Sequence, residues 1–163
     1  MSSPMSAPTR PAIKPMNDLR ELYQEVIFDH YRTPRNRRVL TEANRKAEGY
    51  NPLCGDKVTV YLDVQDGVIR DASFEGVGCA ISTAAASLMT EALKGRKADD
   101  VEPLFRDFQR MVTEAEASPH TQLGKLEVLA GVREFPSRVK CATLAWHTVL
   151  AALRGQHDPV STE

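Results

Sequence analysis

Between Lys57 and Val64 apolar and polar residues alternate: Val58, Val60, Leu62 and Val64 share one side, and Thr59, Tyr61 and Asp63 the other. A period of two predicts a strand with one buried face. Asp66-Gly67 is a tight hairpin signal, and Val68 to Phe74 returns as the antiparallel partner. Upstream, Thr41 to Tyr50 is polar and then extended, which predicts a short edge strand. Elsewhere the period is helical. Leu19, Leu22, Tyr23, Val26, Ile27 and His30 fall on one face of a helix that opens near Asp18. Asp18 and Glu21 have capping-box spacing, and Thr33-Pro34 ends the run. His30 closes that stripe and is expected to pack or lie at the surface rather than bind metal.

Small residues after Cys79 predict a helix to about Lys94, stopped by Gly95. Val101, Leu104, Phe105, Phe108, Met111 and Val112 form the apolar face of the next helix, with Pro103 tolerated in its first turn. A short helix is expected from Leu123 to Ala130, ending at Gly131. The last takes Ser137 as N-cap, buries Leu144, Ala145, Thr148 and Ala151 or Ala152, and closes at Gly155. Trp146 and His147 are expected to pack or to lie at the surface. Prolines 4, 8, 11 and 15 prevent a regular helix, so residues 1–16 read as a disordered tail. Residues 17–155 read as one domain and 156–163 as a second tail.

Length and charge narrow the class. A chain of 163 residues is long enough to bury a real core, and its net charge of −1 calls for neither nucleic acid nor an anionic membrane. No apolar run approaches the roughly 20 residues of a membrane helix. Three well-separated cysteines make a poor disulfide framework and fit a reducing, cytoplasmic setting, where cysteine serves as ligand or nucleophile. Arg32, Arg35, Arg37 and Arg38 form a basic cluster. Its plain reading is a solvated loop; the sharper one is a docking surface for an acidic protein.

The candidate chemistry centres on Phe74–Ala86, FEGVGCAISTAAA. Gly76 and Gly78 permit a sharp turn and close approach, and Cys79 then falls at a helix start, which favours a thiolate. A buried, inert cysteine is the competing reading. The hairpin brings Cys54, before its first strand, near Cys79, after its second. Cys54 and Asp56, two apart on an extended segment, leave the same face. Cys141 lies near the start of the last helix. Cys54, Asp56, Cys79 and Cys141 together suit four-coordinate Zn²⁺ or the iron of a cluster. Their excess negative charge asks for cations, and Lys57, Arg138 and Lys140 are close in sequence.

Asn51-Pro52-Leu53-Cys54-Gly55-Asp56, Gly76-Val77-Gly78-Cys79-Ala80-Ile81-Ser82 and Phe135-Pro136-Ser137-Arg138-Val139-Lys140-Cys141-Ala142-Thr143-Leu144-Ala145-Trp146 resemble, in order, the three signature motifs of the SufU/IscU family of iron–sulfur assembly proteins. The resemblance runs from about Leu19 to Leu153. It implies an α+β fold: a small three-stranded antiparallel sheet with helices packed on one face. Two features are similar to the SufU branch. Lys140 stands where the scaffold branch has histidine, and residues 95–118 look like a helical insertion. That branch implies zinc held by Cys54, Asp56, Cys79 and Cys141. It also implies Cys54 as acceptor of persulfide sulfur from a PLP-dependent cysteine desulfurase of the SufS type, with Arg138 at the position of the SufU motif's arginine. The expected activity is then that of a zinc-dependent sulfurtransferase working with other iron–sulfur assembly proteins. The alternatives are a scaffold on which the same residues hold a [2Fe–2S] cluster, and a structural zinc module without sulfur traffic.

Overall fold

The computed structural model describes residues 15–114, 123–156 and 158–161, with the backbone alone from 15 to 22. Most of the first expected tail, and residues 115–118 of the expected insertion, lie outside the described residues. Helix α1 spans Pro15–Arg32, so Asp18 lies within it rather than capping it. It ends where Thr33 N–H donates to the Asp29 carbonyl, ahead of Pro34.

Strands β1 (Arg45–Asn51), β2 (Asp56–Gln65) and β3 (Val68–Val77) form an antiparallel meander. Val58, Val60 and Leu62 are buried as the alternation requires. Asp66 and Gly67 take φ of 53° and 76°, the left-handed pair of a type I′ hairpin. A register shift after Asp63 pairs Val64 with Ile69. The expected three-stranded sheet has four strands, in the order β3-β2-β1-β4. The added strand β4, Val160–Ser161, lies in what reads by sequence as the second tail and pairs parallel to Gly49 and Tyr50. A two-residue strand carries no periodicity, so no sequence pattern could announce it. It also places β1 inside the sheet rather than at its edge.

The helices cover one face of the sheet. Helix α2 (Ala80–Leu93) begins after Cys79, and α3 (Val101–Thr113) buries all six residues of its expected apolar face. The segment expected as a short α-helix is a 3-10 helix, Gly124–Glu134, which passes through Gly131. Helix α4 (Pro136–Leu153) starts one residue before the expected cap: Phe135 occupies the N-cap position and Pro136 the first turn. Proline's fixed φ and missing N–H suit that position, so it displaces Ser137 into the helix. Trp146 is fully buried in α4, with Phe108 and Phe105 stacked on it at 5.3 and 6.0 Å. Helix α4 presses on β1 at Gly49, where a Cβ would collide with Thr148 Oγ1 and lie 3.2 Å from Leu144. Only a residue without a side chain permits that approach.

The arginine-rich loop after α1 spends most of its charge internally. Arg35 pairs with Asp29 at 2.6 Å and Arg38 with Asp71 at 2.9 Å, while Arg37 donates to the Gly76 carbonyl at 2.8 Å. Phe74 N–H donates to the Asn36 carbonyl, so this loop covers part of the β3 edge. No helix of the described residues is long and apolar enough to cross a membrane.

His30 packs, as expected. It is 1% exposed, with Nδ1 2.7 Å from Ser87 Oγ and Nε2 3.8 Å from Glu91. Burial first, then the Arg35 charge, lowers its pKa below the ordinary 6.5, against Glu91 and Asp29. The unfolded chain therefore takes up the proton more readily. His30 contributes its full stability above pH 6.5, and that contribution is lost as pH falls through the lowered folded-state value. In chelator-treated protein, His30→Gln is expected to flatten the fall of unfolding free energy between about pH 7 and pH 5, read by urea titration. An unaltered slope would assign the loss elsewhere, for example to His147, which burial shifts in the same direction.

Candidate metal centre

Three chain segments converge at one end of the sheet. The first is the loop closing β1 and β2, where Asn51 pairs with Asp56 and residues 52–55 make the turn. Cys54 is exposed at this turn, and Gly55 has φ of 73°. The segment is thus a tight turn and not the extended stretch expected. What places Cys54 beside Asp56 is a left-handed glycine closing a hairpin, not the alternation of a strand.

The second segment is the β3-to-α2 turn. Gly76 has φ of 139°, and a Cβ there would collide with the Lys57 carbonyl. Cys79 is the N-cap of α2: its sulfur accepts from Ser82 N–H at 3.4 Å. Its own N–H donates to Asp56 Oδ1 at 3.0 Å, and its sulfur lies 4.0 Å from Asp56 Oδ2. Asp56 is 1% exposed, and a buried carboxylate is tolerated only with such partners.

The third segment is the start of α4. Cys141 is fully buried, with its sulfur 3.4 Å from that of Cys54 and 3.7 Å from the Ser137 carbonyl. Burial pushes the Cys141 thiol far up, and hydrogen bonding with Cys54, Asp56 and Cys79 adds to the shift. One helical turn earlier lies exposed Arg138, whose guanidinium is held more firmly protonated by the neighbouring Cys141 first and by the charges of Cys79 and Cys54. Of the three expected cations, Arg138 is thereby tied to the sulfurs.

Donor atoms of Cys54, Asp56 and Cys141 all lie within 4.8 Å of one another. Tetrahedral ligands bonded at about 2.3 Å stand about 3.8 Å apart, so the spacing is that of a single ion. Of the four expected ligands, Cys79 stands outside that cluster, its sulfur 4.0 Å from Asp56 Oδ2. The residues fit zinc, or iron in a sulfur-rich site.

The surroundings are apolar. Leu53 and Phe135, 71% and 59% exposed, flank the first and third motifs, and Val77 and Tyr50 are exposed at the same sheet end. A groove of about 500 Å³ runs from Arg138 past Phe135, Val132, Ile81, Ile27 and Tyr23. Sequence reasoning passed over Asn51 and this groove. The signal for Asn51 was present in the turn residues Asn-Pro and Gly-Asp between two extended runs.

The fold and site define an α+β protein with a thiol-and-carboxylate centre built from a hairpin loop and two helix starts. The family model of the NifU-like N-terminal domain matches residues 22–151, and the chain belongs to that family. It is 41% identical over 129 residues to the zinc-dependent sulfurtransferase SufU of Bacillus subtilis (strain 168), a match covering 79% of this chain and 87% of the relative. It is 38% identical over 133 residues to the iron–sulfur cluster assembly scaffold protein IscU of Thermotoga maritima, covering 82% and 93%. Among solved structures, FiSufU of the thermophile Fervidobacterium islandicum AW-1 matches with a TM-score of 0.75 at 32% identity, covering 82% of this chain and 97% of that one. Its kinship is therefore with SufU and IscU proteins of iron–sulfur cluster assembly.

Asp56→Ala would leave the Cys79 N–H without its acceptor. It is expected to cost about 1–3 kcal/mol in metal-free protein, measured by urea unfolding. Wild-type stability in that variant would mean that the carboxylate does not pin the start of α2.

Proposed function

We propose that this protein is a zinc-dependent sulfurtransferase of iron–sulfur cluster assembly, accepting persulfide sulfur from a PLP-dependent cysteine desulfurase. The observation that carries the reading is the asymmetry of the cysteines. Cys54 is exposed on a turn, while Cys141 is buried 3.4 Å away and Cys79 is built into a helix cap. A turn thiolate can meet a partner's persulfide without unwinding a helix. Similarity to the Bacillus SufU and lysine at position 140 support the same choice. When bound, zinc would keep the thiolates deprotonated and tie the three segments together.

The chain's own chemistry is a thiol exchange. The Cys54 thiolate attacks the outer sulfur of the donor's persulfide; a new S–S bond forms on Cys54 and the donor cysteine leaves as its thiolate. Arg138, exposed beside the three cysteines, offers a fixed positive charge to the incoming anionic sulfur. Leu53, Val77 and Phe135 give the donor protein an apolar rim to cover during transfer.

The scaffold reading draws on the IscU similarity, and the two differ in what the purified protein holds. Anaerobically purified protein is expected to be colourless, with about one zinc per chain. A brown, iron-rich preparation poor in zinc would establish the scaffold instead. After incubation with desulfurase and cysteine, peptide mass spectrometry is expected to find one added sulfur on Cys54. Sulfur on Cys79 or Cys141, with Cys54 unmodified, would overturn the acceptor assignment.

A further inference from the structure

Asn51 closes β1, pairs with Asp56 across the ladder, and is 1% exposed. Its main-chain carbonyl accepts from Cys54 N–H at 3.2 Å and from Gly55 N–H at 2.9 Å. Its side-chain Oδ1 accepts from Leu53 N–H at 3.2 Å. One residue thus holds three successive N–H groups of the turn that carries Cys54. The other end of the carboxamide, Nδ2, faces the Cys141 sulfur at 4.0 Å.

The turn by itself asks only for an oxygen at this position, and aspartate or serine would supply one. What the carboxamide adds is an N–H aimed at sulfur. Buried polar groups are kept with partners. Among the described residues, the polar group that Nδ2 meets is a cysteine 90 positions away in sequence.

We propose that Asn51 is a positioning residue for the acceptor thiol, holding the Cys54 turn in register with Cys141 while its carboxamide N–H steadies the Cys141 sulfur. The metal half of this inference rests on the zinc reading above; the register half does not. Asn51→Asp keeps the oxygen that accepts from Leu53 but turns a carboxylate oxygen toward sulfur in place of the N–H. Asn51→Ala removes both side-chain contacts.

Two measurements test it. In the first, zinc affinity is read by competition with a chromophoric chelator. Asn51→Asp is expected to bind zinc about 10–100-fold more weakly than wild type, the usual effect of losing a hydrogen bond to a metal ligand. The new carboxylate is buried without a donor at its second oxygen, so the metal-free variant should melt lower, and zinc affinity is compared at a temperature where both proteins are folded. In the second, metal-free protein is treated with diamide, and the Cys54–Cys141 disulfide is followed by peptide mass spectrometry. As the S–S bond forms, diamide takes up the two thiol hydrogens and becomes the hydrazine. In wild type this pair is expected to close before any pair with Cys79, because the two sulfurs are already in contact. Asn51→Ala should slow it about tenfold as the turn loses its hold, and Asn51→Asp, which keeps the turn, should stay within about threefold.

Wild-type zinc affinity in Asn51→Asp, or a wild-type disulfide rate in Asn51→Ala, overturns the proposal. Should Asn51→Ala fail to fold, Asn51→Asp in the zinc measurement decides it. A wild-type protein that binds no zinc would instead sink the functional reading, and the disulfide rates would still decide the register.

Discussion

The centre depends on one buried carboxylate. Asp56 opens β2 opposite Asn51, so its position is set by the ladder and not by the loop beside it. A carboxylate out of water needs donors, and it takes the N–H of Cys79 at 3.0 Å. That bond pins the start of α2 to the start of β2. The same carboxylate brings the Cys79 sulfur to 4.0 Å and stands within ligand distance of Cys54 and Cys141. Without it, the start of α2 would lose the hydrogen bond that aims Cys79 at the turn, leaving the contacts at the far end of the helix, such as Lys94 with Asp71, to hold it to the hairpin.

Cys141 arrives by a different route. Helix α4 lies on the sheet because Gly49 leaves room for Thr148 and Leu144, and because Trp146 is clamped by Phe105 and Phe108 of α3. Through these ring contacts α3 helps to set the rotation of the helix that carries Cys141. Arg138 follows from that rotation: residues three apart share a helix face, so orienting Cys141 toward Cys54 also aims the guanidinium at the cysteines. One packing solution thus supplies both a buried thiol and a neighbouring positive charge.

The cysteines are chemically alike but differ in freedom. Cys141 is enclosed and its thiol strongly resists ionisation in the metal-free site; Cys79 belongs to the hydrogen bonding of a helix end; Cys54 sits on a turn at the surface. The division is one of backbone context, and it separates an exposed turn thiol from two carried by helix starts. Two large apolar residues beside the site, Leu53 and Phe135, stay largely exposed.

Much of this was legible in the residue order. The alternation from Val58 to Val64, the Asp66-Gly67 turn and the spaced apolar residues of α3 are local signals, and local signals specify strands, hairpins and helix faces. The motifs around Cys54, Cys79 and Cys141 likewise marked the ligand candidates, because cysteine and aspartate near turns and helix starts have few other uses. Other features depended on contacts far apart in the chain. β4 is two residues long and exists only because β1 offers it an edge. Pro136, not Ser137, opens α4, and a 3-10 segment runs through Gly131 where a helix end was expected. Asn51 reads in sequence as an ordinary turn residue; its reach to a sulfur 90 positions away is decided by how α4 packs on β1. Sequence determined which residues were available for the centre, through short-range backbone preference and side-chain chemistry. Tertiary packing decided which atoms meet there, because distances between segments so far apart are set by the core that holds them and not by the chain that joins them.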